Sequence, residues 1–241
     1  AQGLFAQAGS YDAWVRLSNG KGGIEPDKKT DVRGFAIKVH GVQGESALGG
    51  TTEAQDFLLI NLPAFAFPHS YEFMDFVLAI AGGGASLFKH LWHRYGVLGA
   101  LTQLKRLAKL PIKNFKGFAR SPMFSAAPIA CGAYAARVRL VCTTPVAALQ
   151  GTVDDWGAEL LTHLQHAPLH YDLQLQFFVD EQHTPIEDAS VDWCETIAPY
   201  VTVAQLTLPV ARDWQAQYTS LQEQLEGAKF DPWCALAAHR P

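Results

Sequence analysis

Residues 55–67, QDFLLINLPAFAF, constrain the fold more than any other stretch of the chain. The run is almost unbroken in its apolar character and has the length of a strand, with one amide, Asn61, inside it. A strand this apolar is buried on both faces or lines a closed apolar cavity. Proline has no N–H to give to a ladder, so regular pairing should lapse at Pro63. Phe65 and Phe67 then sit where the strand ends. Asn61 beside aromatic side chains in an apolar wall suits a pocket that holds something flat or apolar. A core strand with an exit turn accounts for the same run without a ligand.

Such a strand needs a core, and the composition supplies one. Of 241 residues, 49% are hydrophobic and 17% charged, a globular and not a disordered balance. No repeat, low-complexity tract or linker divides the chain, so a single domain over residues 1–241 is expected. The net charge of −4 does not suit a surface built for nucleic acid. No apolar run reaches the length of a membrane span, so no integral membrane segment is expected. No signal peptide is visible. Cys131, Cys142, Cys194 and Cys234 are far apart without a CxxC spacing and read as small core residues. The chain starts AQGLFAQAG and ends AAHRP, which is expected of a piece of a longer protein.

Strands are expected at residues 11–19 (YDAWVRLSN) and 32–39 (VRGFAIKV), separated by a glycine- and proline-broken loop over 21–29. Gly34 inside the second strand implies a bulge or the close approach of another group to the backbone. A glycine-rich loop over 41–50 leads to the opening apolar strand. Three strands joined by loops favour antiparallel pairing in a meander or barrel. Helices are expected from Ser70 to Ile80 and, after the glycines at 82–84, over 85–110 as one helix or two. The second should carry Phe88, Leu91, Trp92, Tyr95 and Leu98 on one side. Its end is basic, with Lys105, Arg106 and Lys109, then Lys113, Lys116 and Arg120. That suits a solvated helix C-terminus or a face for membrane or a partner. Strands return at 134–142, 170–180 and 200–208. Helices are expected over 154–165, capped by Asp154 or Asp155, and 214–225, ended by Gly227. The sum is an α+β fold on an antiparallel sheet or barrel.

The chemistry of common motifs is missing. His90 and His93, and His163 and His166, have the spacing that shares a helix face, but no HExxH or third acidic ligand accompanies them. There is no GxSxG, P-loop or GxGxxG. Glu187 and Asp188 adjoin in sequence, so backbone geometry points them apart and makes them a poor catalytic pair.

Three consecutive blocks carry a resemblance: WVRLSNG (14–20), DVRGFAIKV (31–39) and QDFLLINLPAF (55–65). In this order they resemble the core blocks of the haem catalase superfamily. PIEDASVDW (185–193), VTVAQLTLP (201–209) and FDPW followed by HRP resemble its small bacterial members. The likeness runs from about Gly3 to Pro241 and is weakest over 80–130.

The resemblance implies haem b inside an antiparallel β-barrel of the catalase type, with helices inserted and packed outside. It implies that Arg16 pairs with a haem propionate, which suits a guanidinium. Ser18 falls on a serine that orients the distal histidine, and Gly34 on a glycine at the haem surface. Phe65 and Phe73 fall near aromatics of the pocket, and Phe230 near one on the proximal side. The family places an asparagine in the distal pocket. A gapless register puts Ile60 there, with Asn61 next; a bulge would shift the register by one step, and Asn61 is expected as the distal catalytic residue with Ile60 beside the haem. Leu17 replaces the usual phenylalanine. The distal histidine is expected before residue 1 and the tyrosine that ligates iron after residue 241. The implied activity is oxidation driven by hydrogen peroxide or an organic hydroperoxide, of catalase or peroxidase type. Rearrangement of a fatty-acid hydroperoxide and a non-catalytic haem-binding scaffold stay open, as does a homo-oligomer.

Overall fold

The computed structural model describes residues 2–20, 26–65, 67–81, 84–108, 115–125, 127–145, 155–212 and 214–241. Its centre is one antiparallel sheet. The strands are β1 (Ala13–Asn19), β2 (Arg33–Glu45), β3 (Thr51–Ile60), β4 (Met123–Ser125), β5 (Ile129–Cys131), β6 (Tyr134–Cys142), β7 (Leu169–Phe177) and β8 (Tyr200–Leu208). They pair in the order β1-β2-β3-β4-β6-β7-β8, with β5 also on β6. The sheet curls into a half-barrel around its core, and among the described residues no ladder joins β8 back to β1.

Alternation builds that core. Phe35 and Ile37 of β2, Phe57 and Leu59 of β3, Val138 and Leu140 of β6, and Tyr171, Leu173 and Leu175 of β7 all point inward and are buried. Each such side chain removed from water contributes about 1.5–3 kcal/mol. Two helices are inserted between β3 and β4: α1 (Ser70–Ala81) and α2 (Gly84–Ala108). α3 (Trp156–Leu164) closes one end of the core with Trp156, Leu160 and Leu164. Its cap is Asp155, whose Oδ1 accepts from Ala158 N at 2.8 Å. α4 (Trp214–Gly227) follows β8.

Several expectations shift. The glycine-rich loop over 41–50 shrinks to a turn, because β2 continues to Glu45 through a register shift between His40 and Gly44. Gly41 takes a φ of 74° there, a conformation glycine adopts without strain. β4 and β5 are additional strands. α2 ends at Ala108, and Gly96 (φ 67°, ψ 177°) breaks it into two helical halves. The apolar side expected for α2 is not a buried stripe. Leu91 is buried, whereas Phe88, Trp92 and Leu98 are exposed. The basic run does not form one face either: Arg120 lies beyond the helix and pairs with Glu159 of α3 at 2.6 Å. Asp154, Lys109, Lys113 and the loop residues 21–25 lie outside the described residues. The four cysteines are free thiols. No helix among the described residues is long and apolar enough to cross a membrane.

Two buried polar groups make testable statements about this core. The Tyr171 hydroxyl is buried with no hydrogen-bond partner among the described residues, its ring packed on Phe35 at 5.6 Å, and burial pushes the phenol pKa far up. An unsatisfied buried hydroxyl costs about 1–3 kcal/mol. Tyr171→Phe is therefore expected to stabilise the protein by about 1 kcal/mol in urea unfolding. His239 ties the chain ends to the sheet. Its Nε2 accepts from Leu4 N at 3.0 Å, and Nδ1 lies 3.3 Å from Ala130 O, which selects the neutral ring with the proton on Nδ1. Burial lowers its pKa below the ordinary 6.5. The folded state thus favours neutral His239. Its contribution is complete above pH 6.5 and is lost as pH falls through that value towards the lowered pKa. Urea titrations should show wild type losing stability between pH 7.5 and 5 more steeply than His239→Gln, with the difference largest at the high end.

Candidate functional site

The register of β1, β2 and β3 arranges side chains in cross-strand rows. Ser18 pairs with Gly34 and Gly34 with Ile60; Arg16 pairs with Ala36 and Ala36 with Leu58; Trp14 pairs with Lys38 and Lys38 with Asp56. Residues two apart on a strand share a face. Arg16, Ser18, Gly34 and Ile60 therefore lie together on one face. Val15, Leu17, Phe35, Ile37, Phe57 and Leu59 take the other, which is the core face. The inner face carries the apolar half of the alternation, so Arg16, Ser18, Gly34 and Ile60 occupy the outer face.

On that face Gly34 is bare where a side chain would collide. A Cβ there would stand 2.5 Å from Ser18 Oγ, so the serine hydroxyl sits over the glycine. Ser18 itself is exposed. The Arg16 guanidinium lies over the Phe230 ring, its central carbon 4.4 Å from the ring centroid. Among the described residues Arg16 has no carboxylate partner and no side-chain hydrogen bond. Lys38 is different: its Nζ lies 2.6 and 2.7 Å from the two oxygens of Asp56, whose side chain is fully buried.

Asn61 follows the last residue of β3 and is not in the row with Gly34; Ile60 is. The Asn61 Oδ1 accepts from Arg33 N at 2.7 Å, and Asn61 N donates to Arg33 O at 3.1 Å. Its Nδ2 is buried without a partner. Beyond Pro63 the chain runs beside the connector 185–193: Phe65 N donates to Ala189 O at 2.9 Å, and Ala189 N to Pro68 O at 3.1 Å. Phe65 meets Phe73 of α1 edge-on at 5.2 Å. Buried Arg137 braces the segment, donating from Nη1 to Pro63 O at 3.3 Å and lying on the Trp193 ring at 4.8 Å.

The structure thus gathers Arg16, Ser18, Gly34, Ile60 and Phe230 on one face. Phe65 and Phe73 form a separate pair at the exit of β3, with Asn61 in the connecting segment. Sequence reasoning missed the supports Lys38, Asp56, Arg137 and Trp193. The signal present was a charge, Asp56, at the head of an apolar strand. A strip of Gly34 and Ala36 is flanked by Leu58 and Ile60, with Arg16, a cation without a carboxylate partner among the described residues, at its edge; a flat apolar group with an acidic rim could be held there. A groove of about 1030 Å³ lies elsewhere, on the core side of the open seam between β1 and β8, lined by Leu4, Phe5, Val15, Phe57 and Leu206 among others. None of the named site residues lines it. Among the described residues no group of three or more His, Cys, Asp or Glu side chains could hold a metal ion. Asp188 accepts from Ser190 N and Oγ within its own turn.

No protein-family model matches the chain, and no curated protein does. Solved structures match over nearly its whole length. A fungal catalase superposes with a TM-score of 0.68 at 16% identity, covering 98% of this chain and 50% of that one. Catalase A from Saccharomyces cerevisiae gives 0.67 at 15% identity, over 98% and 51%. The fold is that of the catalases. A bacterial catalase agrees, at 0.59 and 17% identity over 99% of this chain and 54% of its own. The chain spans about half the length of these solved catalases. On that fold, Arg16, Ser18, Gly34, Ile60 and Phe230 meet on the outer face of β1–β3.

The Gly34–Ser18 contact has a direct test. An exposed serine can rotate its hydroxyl away, so Gly34→Ala should change stability by no more than about 0.5 kcal/mol, as for ordinary surface changes. The Ser18 β-proton shifts in an NMR spectrum should nevertheless move, because the hydroxyl is displaced. A large loss of stability would mean that the strands cannot yield at this point.

Proposed function

We propose that the chain forms the haem-facing half of a haem b-dependent oxidoreductase acting on hydrogen peroxide or organic hydroperoxides, of catalase or peroxidase type. One observation carries this reading: the bare Gly34, the Ser18 hydroxyl above it and Arg16, which has no carboxylate partner among the described residues, lie side by side on a face the core does not use. Haem iron, when bound, supplies the two-electron chemistry at the peroxide O–O bond.

The residues of this chain do the rest by binding and orienting. Arg16 holds a porphyrin carboxylate through a charge-assisted pair, its plane set by Phe230. Gly34 and Ala36 leave a shallow seat against which a flat ring can lie, with Leu58 and Ile60 as its apolar wall. The Ser18 hydroxyl, exposed above Gly34, would hydrogen-bond and orient an imidazole placed over the ring. Asn61 lies at the exit of β3 and not in the row of Gly34, so no contact with a peroxide at that seat is assigned to it. Phe65 and Phe73 exclude water and bulky reductants at the exit of β3.

Haem titrated into the full-length protein should give a Soret band that saturates at one equivalent. Arg16→Ala should weaken uptake roughly 10- to 100-fold, the value of a hydrogen bond to a charged group. Gly34→Leu should block uptake, since its side chain would fill the seat. Parallel assays with hydrogen peroxide and a fatty-acid hydroperoxide then separate peroxide-driven oxidation from hydroperoxide rearrangement. A wild-type protein that takes up no haem would falsify the proposal.

A further inference from the structure

The buried ion pair beneath the site has a role that core packing alone does not require. Asp56 lies in a row with Trp14 and Lys38 on the outer face, one pairing step beyond the row of Arg16. Its side chain is fully buried, and Lys38 lies 2.6 Å from it. The same carboxylate also accepts from Asp231 N at 2.9 Å, and Asp56 N donates to Cys234 O at 2.8 Å. Next to it, Gln55 Oε1 accepts from Leu236 N at 2.9 Å. Residues 231–236 are thereby clamped to β3. The residue immediately before the clamp is Phe230, whose ring has Arg16 at 4.4 Å and Lys38 at 5.5 Å.

The two cations on this ring are not equivalent. The charge of Lys38 is consumed by a buried carboxylate, whereas Arg16 has no carboxylate among the described residues. From this we infer that Asp56 is a positioning residue for Arg16. By holding Lys38 and the Asp231 amide, it seats Phe230 against the guanidinium, so that Arg16 presents one fixed face to a single carboxylate. A free arginine side chain loses rotamer entropy when it binds an anion, and a side chain already stacked loses less. The inference rests on the reading that Arg16 grips a porphyrin carboxylate, but it also makes a statement about the ligand-free protein.

Both parts can be measured. Lys38→Met with Asp56→Leu removes the buried charges together, strands neither and leaves the net charge unchanged. Replacing a buried pair by apolar residues is often neutral for stability, and thermal unfolding confirms that each variant is folded. Without ligand, the Arg16 δ-methylene protons should be shifted upfield in wild type by the Phe230 ring current, and the shift should vanish in the double variant and in Phe230→Leu. With ligand, both variants should bind haem roughly 3- to 10-fold more weakly, the range of a cation–π contact. Their affinity for haem dimethyl ester, which has no free carboxylate, should equal that of wild type. In an Arg16→Ala background neither change should weaken haem binding further. A double variant that keeps both the upfield shift and wild-type haem affinity overturns the inference. If wild type binds haem and its dimethyl ester equally, the carboxylate reading of Arg16 fails, while the ring-current measurement still decides whether Asp56 positions the guanidinium.

Discussion

The structure depends on a single constraint in β1, β2 and β3: each strand gives alternate residues to opposite faces, and only one register puts all the large apolar side chains together. Leu59 and Phe57 pair beside Phe35 and Ile37 in that register. A slip of one residue would expose the whole set and bury Arg16, Lys38 and Asp56 in its place. At about 1.5–3 kcal/mol per large apolar side chain, such a slip costs more than the net stability of an ordinary domain. The core therefore fixes the outer face as a by-product. Ser18 comes to lie over Gly34, and Arg16 one row away, because Phe35 and Val15 must point inward.

Charges buried at the edges of this sheet act as fasteners between segments far apart in sequence. Asp56 with Lys38 holds the turn at 231–234, and Arg137 holds the segment after Pro63 against Trp193. Arg33, almost fully buried, bonds Asn19 and the carbonyls of Asp27 and Lys29, and pairs with the Asp27 carboxylate at 3.3 Å. Removing one partner from a buried pair typically costs about 3–5 kcal/mol, because the other is left without compensation. Such pairs add little over an apolar replacement, but they specify where loops dock. Arg16 differs: it is half-buried over the Phe230 ring and has no carboxylate partner among the described residues.

Much of this could be read from the chain. The alternation in residues 134–142, 170–180 and 200–208 marks β6, β7 and β8, because a half-buried strand repeats every two residues. The glycine at 34 signalled close approach, and the structure supplies the approaching atom, Ser18 Oγ. Other features left no local trace. β4 and β5 are three residues each, too short to show a period. The glycines near position 41 look like a loop but form an irregularity inside β2, since a glycine at positive φ can bend a ladder without ending it. The exposed aromatics of α2 defeat a helical-wheel reading, because what a helix buries depends on its neighbours and not on its own period.

By itself the amino-acid order determined the six longer strands, the division of each into two faces, the likeness to the catalases and the residues to watch, because these are consequences of local period and residue type. It could not determine which side of the barrel wall those residues serve. Alternation separates two faces but does not say which one the closing sheet will wrap around. Only the folded sheet decided that Arg16, Ser18 and Gly34 face outward, that Ile60 and not Asn61 completes their row, and that Asp56, 18 residues from Lys38, is its partner. Those outcomes depend on pairing between distant segments, and pairing is a property of the assembled sheet.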